Sequence, residues 1–181
     1  FLNKLIRFSA IDGTVIVKVI KEKTDDKIKP VIRIPDILNI LFDPSDENIR
    51  HGLLERHILS IDEFKRLAKE KKWKDAGSVK GDTRTFVFNE NIAGLSQKEA
   101  DTPFVTFWEF FGKIEQKVIN DFNNKITEPK ESPDIVSGHM IFIIENKGRE
   151  SSENVLFAEK TDRFPYKLFK YRDVHGRAHG E

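Results

Sequence analysis

Residues 101–123 read DTPFVTFWEFFGKIEQKVINDFN, and the interpretation of this stretch decides the fold class. Asp101-Thr102-Pro103 is a typical helix start, because proline is favoured in the first turn of a helix. With a rotation of about 100° per residue, large apolar side chains fall on one face of such a helix. They are Phe104, Trp108, Phe111, Val118 and Phe122. The pattern therefore predicts one long helix that ends near Asn123.

Glu115 falls in the middle of that apolar face. A carboxylate that is buried without a partner is costly, so an acidic residue at this position requires a reason. We therefore treat Glu115 as a candidate functional residue that the predicted helix directs inward.

A β-hairpin is predicted after this helix, beyond a polar linker with the sequence EPKESP at residues 128–133. Residues 134–136 begin a strand, and the Ser-Gly-His of residues 137–139 supplies a turn. Residues 141–144, IFII, form an apolar run that is typical of a central strand. Residues 137–140, SGHM, also match a sequence left behind by cloning. In that case the spacing between Asp134 and Glu145 results from engineering of the sequence.

The N-terminal part of the chain mixes strand and helix signals. Residues 14–20 and 31–34 are rich in β-branched side chains, which predicts a β-hairpin. Residues 36–42 and 45–57 are predicted to be short helices, and residues 83–88 a further strand.

The helix predicted to follow residue 60 has an apolar side and a basic side. Ser60-Ile61-Asp62-Glu63 forms a capping box at its start, and the helix is expected to run to about Trp73. Its apolar stripe comprises Phe64, Leu67 and Ala68. The basic side supplies candidate contacts to nucleic acid, with a solvated outer face as the alternative interpretation. These candidate residues are Lys65, Arg66, Lys69 and Lys72.

Together, these patterns predict an α+β (mixed α/β) fold. A β-hairpin plus helices is expected over residues 1–100, as a binding module. A long helix followed by a β-hairpin sheet is expected over residues 101–181, as a nuclease-like core. The alternative is that both regions belong to one compact domain.

Composition excludes several classes of protein. The 31 Lys and Arg residues nearly balance the 30 Asp and Glu residues, for a net charge of +1. A globally basic nucleic-acid binder is therefore excluded, whereas a local basic patch is not. The 181 residues contain no cysteine, which excludes a thiolate zinc site and favours a reducing compartment such as the cytoplasm. No apolar run reaches the ~18 residues of a membrane span, so no membrane partner is expected.

Asp134 and Glu145-Asn146-Lys147 carry the chemistry that the predicted hairpin would assemble. Two adjacent strands that leave a tight turn would place Asp134 beside Glu145, and two carboxylates make a hard oxygen site for Mg²⁺ or Mn²⁺. Such a metal lowers the pKa of a bound water and polarises a phosphoryl oxygen. Lys147 shares a strand face with Glu145 and can stabilise the developing charge. Glu115 would be the third acidic partner.

Pro133-Asp134 and Glu145-x-Lys147 resemble the motif of the PD-(D/E)XK nuclease superfamily, and the resemblance covers about residues 103–160. It implies metal-dependent hydrolysis of phosphodiester bonds in DNA or RNA. Asp134 and Glu145 would bind the metal, Lys147 would assist the attacking water, and Glu115 would be an auxiliary ligand. The chain departs from the family pattern because only 34 residues follow Lys147 and no Gln-x-x-x-Tyr follows the motif.

The alternative function is a non-enzymatic binding module for nucleic acid or protein. Residues 45–73 resemble a helix–turn–helix pair, and the order of strands and helices is similar to that of the amino-terminal domain of phage Bro-type and KilA-type proteins. Asn89-Glu90 and Gly94-Leu95 contribute to that similarity. It implies that the basic helix contacts phosphate or the major groove.

Overall fold

The computed structural model describes residues 14–24, 27–43, 49, 51–89, 94–124, 134–147 and 150–170. Most of these residues lie in β-strands. The strands are β1 (Thr14–Thr24), β2 (Lys27–Arg33), β3 (Ile40–Phe42), β4 (Gly52–Ser60), β5 (Asp82–Asn89), β6 (Gly94–Glu115), β7 (Ile135–Lys147), β8 (Glu150–Lys160) and β9 (Tyr166–Lys170). The helices among the described residues are α1 (Ile61–Lys71) and α2 (Gln116–Phe122), and short 3-10 turns cover Ile37–Asn39 and Ala76–Ser78.

The strands form two antiparallel sheets. The three-stranded sheet has the order β2-β1-β9, in which Val19 pairs with Ile32 and Val15 pairs with Phe169. The larger sheet has the order β3-β4-β6-β7-β8, and β5 also pairs with β6. β2 is therefore an edge strand; it reads KIKPVIR, and most of its residues are exposed.

The predicted α+β fold is wrong, chiefly because residues 101–123 are not one long helix. Residues 94–115 form the single strand β6, and only Gln116–Phe122 is helical. Burial in β6 alternates, as the strand period requires: Val105 and Phe107 are buried, while Phe104 and Thr106 are exposed. Aromatic and β-branched side chains favour this pleated, half-buried setting over a helix.

The predicted hairpin after that helix is also wrong, because β7 runs without a turn from Ile135 to Lys147. Gly138 lies inside the strand. A Cβ atom at this position would lie 2.7 Å from the Ile114 side chain and 3.2 Å from the Glu159 carbonyl oxygen. The glycine therefore permits close approach of neighbouring backbone and side chains.

The two short helices predicted before residue 60 are not present as such. The first is a 3-10 turn, Ile37–Asn39, in which the Asp36 side chain accepts a hydrogen bond from the Leu38 N–H at 3.0 Å. It leads directly into β3. The second helix was predicted over residues 45–57. That prediction is wrong from Gly52 onward, because those residues belong to the strand β4. Residues 45–48 and 50 of that prediction lie outside the described residues.

Several local predictions are confirmed. The strands predicted over residues 14–20, 31–34 and 83–88 correspond to β1, β2 and β5. The helix after the capping box is α1. The Ser60 side chain accepts a hydrogen bond from the Glu63 N–H at 3.3 Å, and its hydroxyl donates to the Glu63 carboxylate at 3.3 Å, so the N-cap half of the predicted capping box is confirmed.

The chain divides into two compact units, each with its own apolar core. The first unit comprises residues 1–55, 110–139 and 159–181, and the second comprises residues 56–109 and 140–158. The core of the first contains Ile16, Ile40, Ile49, Leu53, Phe111 and Tyr166. The core of the second contains Phe64, Ala68, Ala76, Val79, Val105, Phe107, Ile141, Ile143 and Leu156. Neither helix in the described part of the chain is long and apolar enough to cross a membrane.

Candidate nucleic-acid interface

A shallow groove with a volume of about 340 Å³ runs beside α1 in the second unit. We call it the lysine groove. Its lining combines cationic side chains from the end of α1 with a tryptophan and a small-residue turn. The lining residues are Lys65, Ala68, Lys69, Lys72, Trp73, Ala76 and Gly77.

The packing of α1 determines which side of the helix borders the groove. Phe64 and Ala68 are buried in the core of the second unit, with 0% and 3% of their surface exposed. Lys65 and Lys69 each lie one position after a buried residue, so they emerge at the edge of the buried face. Lys65, Lys69 and Lys72 follow an i, i+4, i+7 spacing, which places them along one side of a helix.

The end of α1 directs the chain into the groove. The Lys72 N–H donates to the Lys69 carbonyl oxygen at 3.3 Å, and the Trp73 N–H donates to the Ala68 carbonyl oxygen at 2.9 Å. This is the Schellman arrangement, which requires a left-handed residue at the position usually taken by glycine. Lys72 occupies that position with φ 56°. A lysine there carries a conformational cost of about 1–2 kcal/mol that glycine would avoid.

Trp73 is a half-buried residue with a supported ring. Its indole packs against Phe64 and Phe107, with ring centroids 5.8 and 5.3 Å apart. Trp73 also lines the groove. The indole is therefore held in place before any ligand arrives.

The lysines of the groove carry uncompensated charge. Lys65, Lys69 and Lys72 are exposed, and within the described part of the chain none of them forms an ion pair. The ion pair on the same helix joins Lys71 to Glu70 at 3.3 Å. Of the four residues predicted from sequence to contact nucleic acid, three line the groove, and Arg66 is exposed without lining it.

The structure places Glu115 and Asp134 at the surface. Glu115 is the last residue of β6 and precedes α2, where it forms no side-chain cap. The Asp134 carbonyl oxygen accepts a hydrogen bond from the Gln116 N–H at 2.8 Å, which brings the chain at Asp134 next to the end of β6. Both acidic residues are exposed. The inward direction predicted for Glu115 is therefore wrong, since the helix that would impose it is absent.

Glu145 and Lys147 lie near the opposite end of the strand that Asp134 precedes. At about 3.3 Å per residue, eleven strand positions correspond to roughly 36 Å along β7. The hairpin that would place Asp134 beside Glu145 is a single strand. The side chains of Glu145 and Lys147 lie outside those that the structure describes, and their catalytic roles stay predictions.

Sequence reasoning did not identify a buried polar network in the first unit. Lys18 on β1 donates to the Glu55 carboxylate on β4 at 2.6 Å, and the Tyr166 hydroxyl on β9 donates to the same carboxylate oxygen at 2.7 Å. All three residues are buried. The one signal in the sequence is Lys18 itself, a lysine inside the β-branched run TVIVKVI.

His57 and Glu109 form a polar pair within the second unit. The Glu109 carboxylate lies 3.1 Å from His57 Nε2. We assign no metal to this pair.

No protein-family model matches the chain, and no curated protein sequence is significantly similar to it. Function is therefore inferred from the geometry of the described residues.

Proposed function

We propose that this chain is a non-enzymatic binding module that holds nucleic acid in the lysine groove. The observation that carries the proposal is the convergence of Lys65, Lys69 and Lys72 on one groove that is also lined by Trp73. Phosphate contacts from lysines supply most of the affinity of non-specific nucleic-acid binding. An aromatic side chain beside them adds a surface against which a base can pack.

The spacing of the lysines suits a phosphate backbone. With about 1.5 Å of rise per residue, Lys65 and Lys72 are separated by roughly 10 Å along the helix axis. Successive phosphates of one strand in helical geometry are spaced by about 3.4 Å along the axis, so that span covers about three intervals between phosphates. Three exposed ammonium groups are therefore matched to a short run of backbone.

The conformation of Lys72 supports a role beyond solubility. Residues in a sparsely populated backbone region persist where the surrounding structure or a function requires them. Lys72 has φ 56° at a position where glycine is the ordinary choice, and its side chain lines the groove. A lysine face that served only hydration would not need a cation at that position.

The nuclease hypothesis requires Asp134, Glu145 and Lys147 to meet at one metal. They occupy a single extended strand together with its preceding residue, so we favour binding over cleavage. The absence of cysteine from the 181 residues is compatible with a reducing compartment, and we place the module in the cytoplasm.

Fluorescence anisotropy with labelled oligonucleotides across a series of salt concentrations tests the proposal. We expect the affinity for single strands to fall with a log–log salt slope of about −2, which corresponds to three phosphate contacts. The combined substitution Lys65→Glu, Lys69→Glu and Lys72→Glu should abolish binding.

The matched control carries the same charge change at Lys117, Lys160 and Lys167, which are exposed in the first unit. Equal loss of binding in the control would overturn the assignment to the groove.

Incubation of the same oligonucleotides with Mn²⁺ separates binding from catalysis. Cleavage that disappears in Lys147→Ala would replace the binding module with the nuclease.

A further inference from the structure

We infer that the lysine groove takes one unstacked nucleotide of a single strand, with its base against Trp73, while the phosphate of that nucleotide and the neighbouring phosphates lie among the lysine amines. This inference rests on the proposed function and specifies its ligand. It excludes a duplex as the preferred ligand, and it assigns separate roles to the cationic and the apolar parts of the groove.

The shape of the lysine groove suits a single strand. A helix that reads duplex DNA projects its outer surface into a major groove about 12 Å wide. The lysines of α1 and its C-terminal cap instead border a concave surface that they share with Trp73 and Gly77. Concave surfaces of this kind accept a projecting group, and in a single strand the projecting groups are the bases.

The size of the lysine groove suits a single small group. Its volume is about 340 Å³, near the lower end of the roughly 300–1,000 Å³ range of small-ligand pockets. One nucleotide belongs to the class of ligands that such pockets take. A base pair inside a helix stays stacked between its neighbours and does not present such a unit, unless energy is spent to extrude it.

Trp73 and Gly77 give the groove a fixed aromatic ring and an open space. Trp73 is held by Phe64 and Phe107, so its indole needs little reorganisation to receive a base. A Cβ atom placed on Gly77 would meet no protein atom within 4 Å. The space above Gly77 is therefore open, and the glycine is not required by packing within the described residues.

Gly77 provides the means to test the inference without disturbing the core. Trp73 itself is a poor probe, because its substitution would remove contacts to two buried rings. Gly77→Ala and Gly77→Leu add side chains into the open space and should leave the melting temperature unchanged. Trp108→Phe leaves Trp73 as the sole tryptophan in the chain, so that its emission reports the groove directly.

The experiment titrates the Trp108→Phe protein with oligothymidylate, with an abasic strand of equal length and with a duplex of equal length. Loss of the base should weaken binding by about fivefold or more, the lower limit for base–aromatic stacking. We also expect quenching of Trp73 by oligothymidylate, weaker binding of the duplex, and loss of oligothymidylate affinity in Gly77→Leu.

Equal affinity for the abasic and thymidine strands would overturn the inference, and so would an affinity for oligothymidylate that Gly77→Leu leaves unchanged. Both results leave the proposed function standing if the lysine substitutions still abolish binding. Absence of binding to any nucleic acid by the folded protein would overturn the proposed function itself, and the inference with it.

Discussion

The molecule uses lysine in two opposite ways, and the contrast indicates where function lies. Lys18 is buried in the first unit, and its ammonium group donates to Glu55 at 2.6 Å. Lys65, Lys69 and Lys72 in the second unit are exposed on a groove, with no ion pair among the described residues. A charge paired inside the protein is committed to the fold, since either partner left alone would be costly. A charge without an internal partner is available to a ligand.

Loss of the buried Glu55 carboxylate should destabilise the protein more than any other change considered below. Glu55→Ala removes the carboxylate that accepts from both the Lys18 ammonium group and the Tyr166 hydroxyl, which should lower the free energy of unfolding by about 3–5 kcal/mol. Urea denaturation measures the loss. The triple variant Lys18→Met/Glu55→Leu/Tyr166→Phe removes both charges together with the hydroxyl that donates to Glu55, and should recover most of the stability. A triple variant no more stable than Glu55→Ala would mean that the polar network is not the origin of the loss.

The next effect compares two glycines, one in each unit. A Cβ atom at Gly112 would lie 2.5 Å from the Gly52 Cα and 2.6 Å from the His51 carbonyl oxygen. Gly112→Ala should therefore destabilise the protein by about 1–3 kcal/mol, as overpacking does. Gly77→Ala should change stability by less than about 0.5 kcal/mol, because the added methyl group meets open space. Thermal unfolding of the two variants distinguishes them, and equal melting temperatures would contradict the contrast.

The lysine groove should show the reverse profile, with loss of binding and little change in stability. The combined substitution of Lys65, Lys69 and Lys72 by glutamine should weaken single-strand binding roughly tenfold to hundredfold, at up to about 1 kcal/mol per contact. The salt slope should fall by about 2. Anisotropy and urea denaturation of the same preparation measure both properties. A large loss of stability would show that these lysines also support the fold.

A substitution at Lys72 alone should change stability and binding in opposite directions, each by a small amount. Lys72→Gly relieves the left-handed conformation and should raise the free energy of unfolding by up to about 1 kcal/mol. The same substitution removes one cation from the groove and should weaken binding. Lys72→Asn is the control, because asparagine tolerates the conformation yet carries no charge. Unchanged affinity in both variants would exclude Lys72 from the interface.

Local signals in the sequence predicted local structure well. Ser60 and Glu63 identified the start of α1, since a capping box is complete within four residues. The β-branched run of β1 likewise predicted its strand. The spacing of lysines along α1 indicated a basic side before the structure revealed the groove.

The errors arose where one pattern of apolar residues fitted both the helical period of 3.6 residues and the strand period of 2 residues. Phe104, Trp108 and Phe111 match a helical face, while Val105, Phe107 and Phe111 match a strand face. Pairing with neighbouring strands decides between them, and that pairing is not visible in a local window. Gly138 was similarly ambiguous, because glycine suits a turn and also a close approach between strands.

Contacts between residues that are far apart in the sequence could not be predicted, for a different reason. Tyr166 and Glu55 are separated by 111 positions, and Lys18 and Glu55 by 37. The groove combines α1 with the turn at residues 76–78, so the role of Gly77 depends on how the chain returns after Trp73. The predicted metal site had the same weakness, because it required a hairpin at residues 137–139 to bring Asp134 to Glu145.

The edge strand β2 has a consequence for how separate molecules behave towards each other. Ile28 and Ile32 are 68% and 46% exposed, and an apolar edge of this kind can recruit a strand from another chain. Pro30 lies between them and offers no N–H, while Lys27 and Lys29 add like charges that repel a second copy. The seven residues of β2 form one edge of the three-stranded sheet, and they oppose the growth of fibrils from that edge.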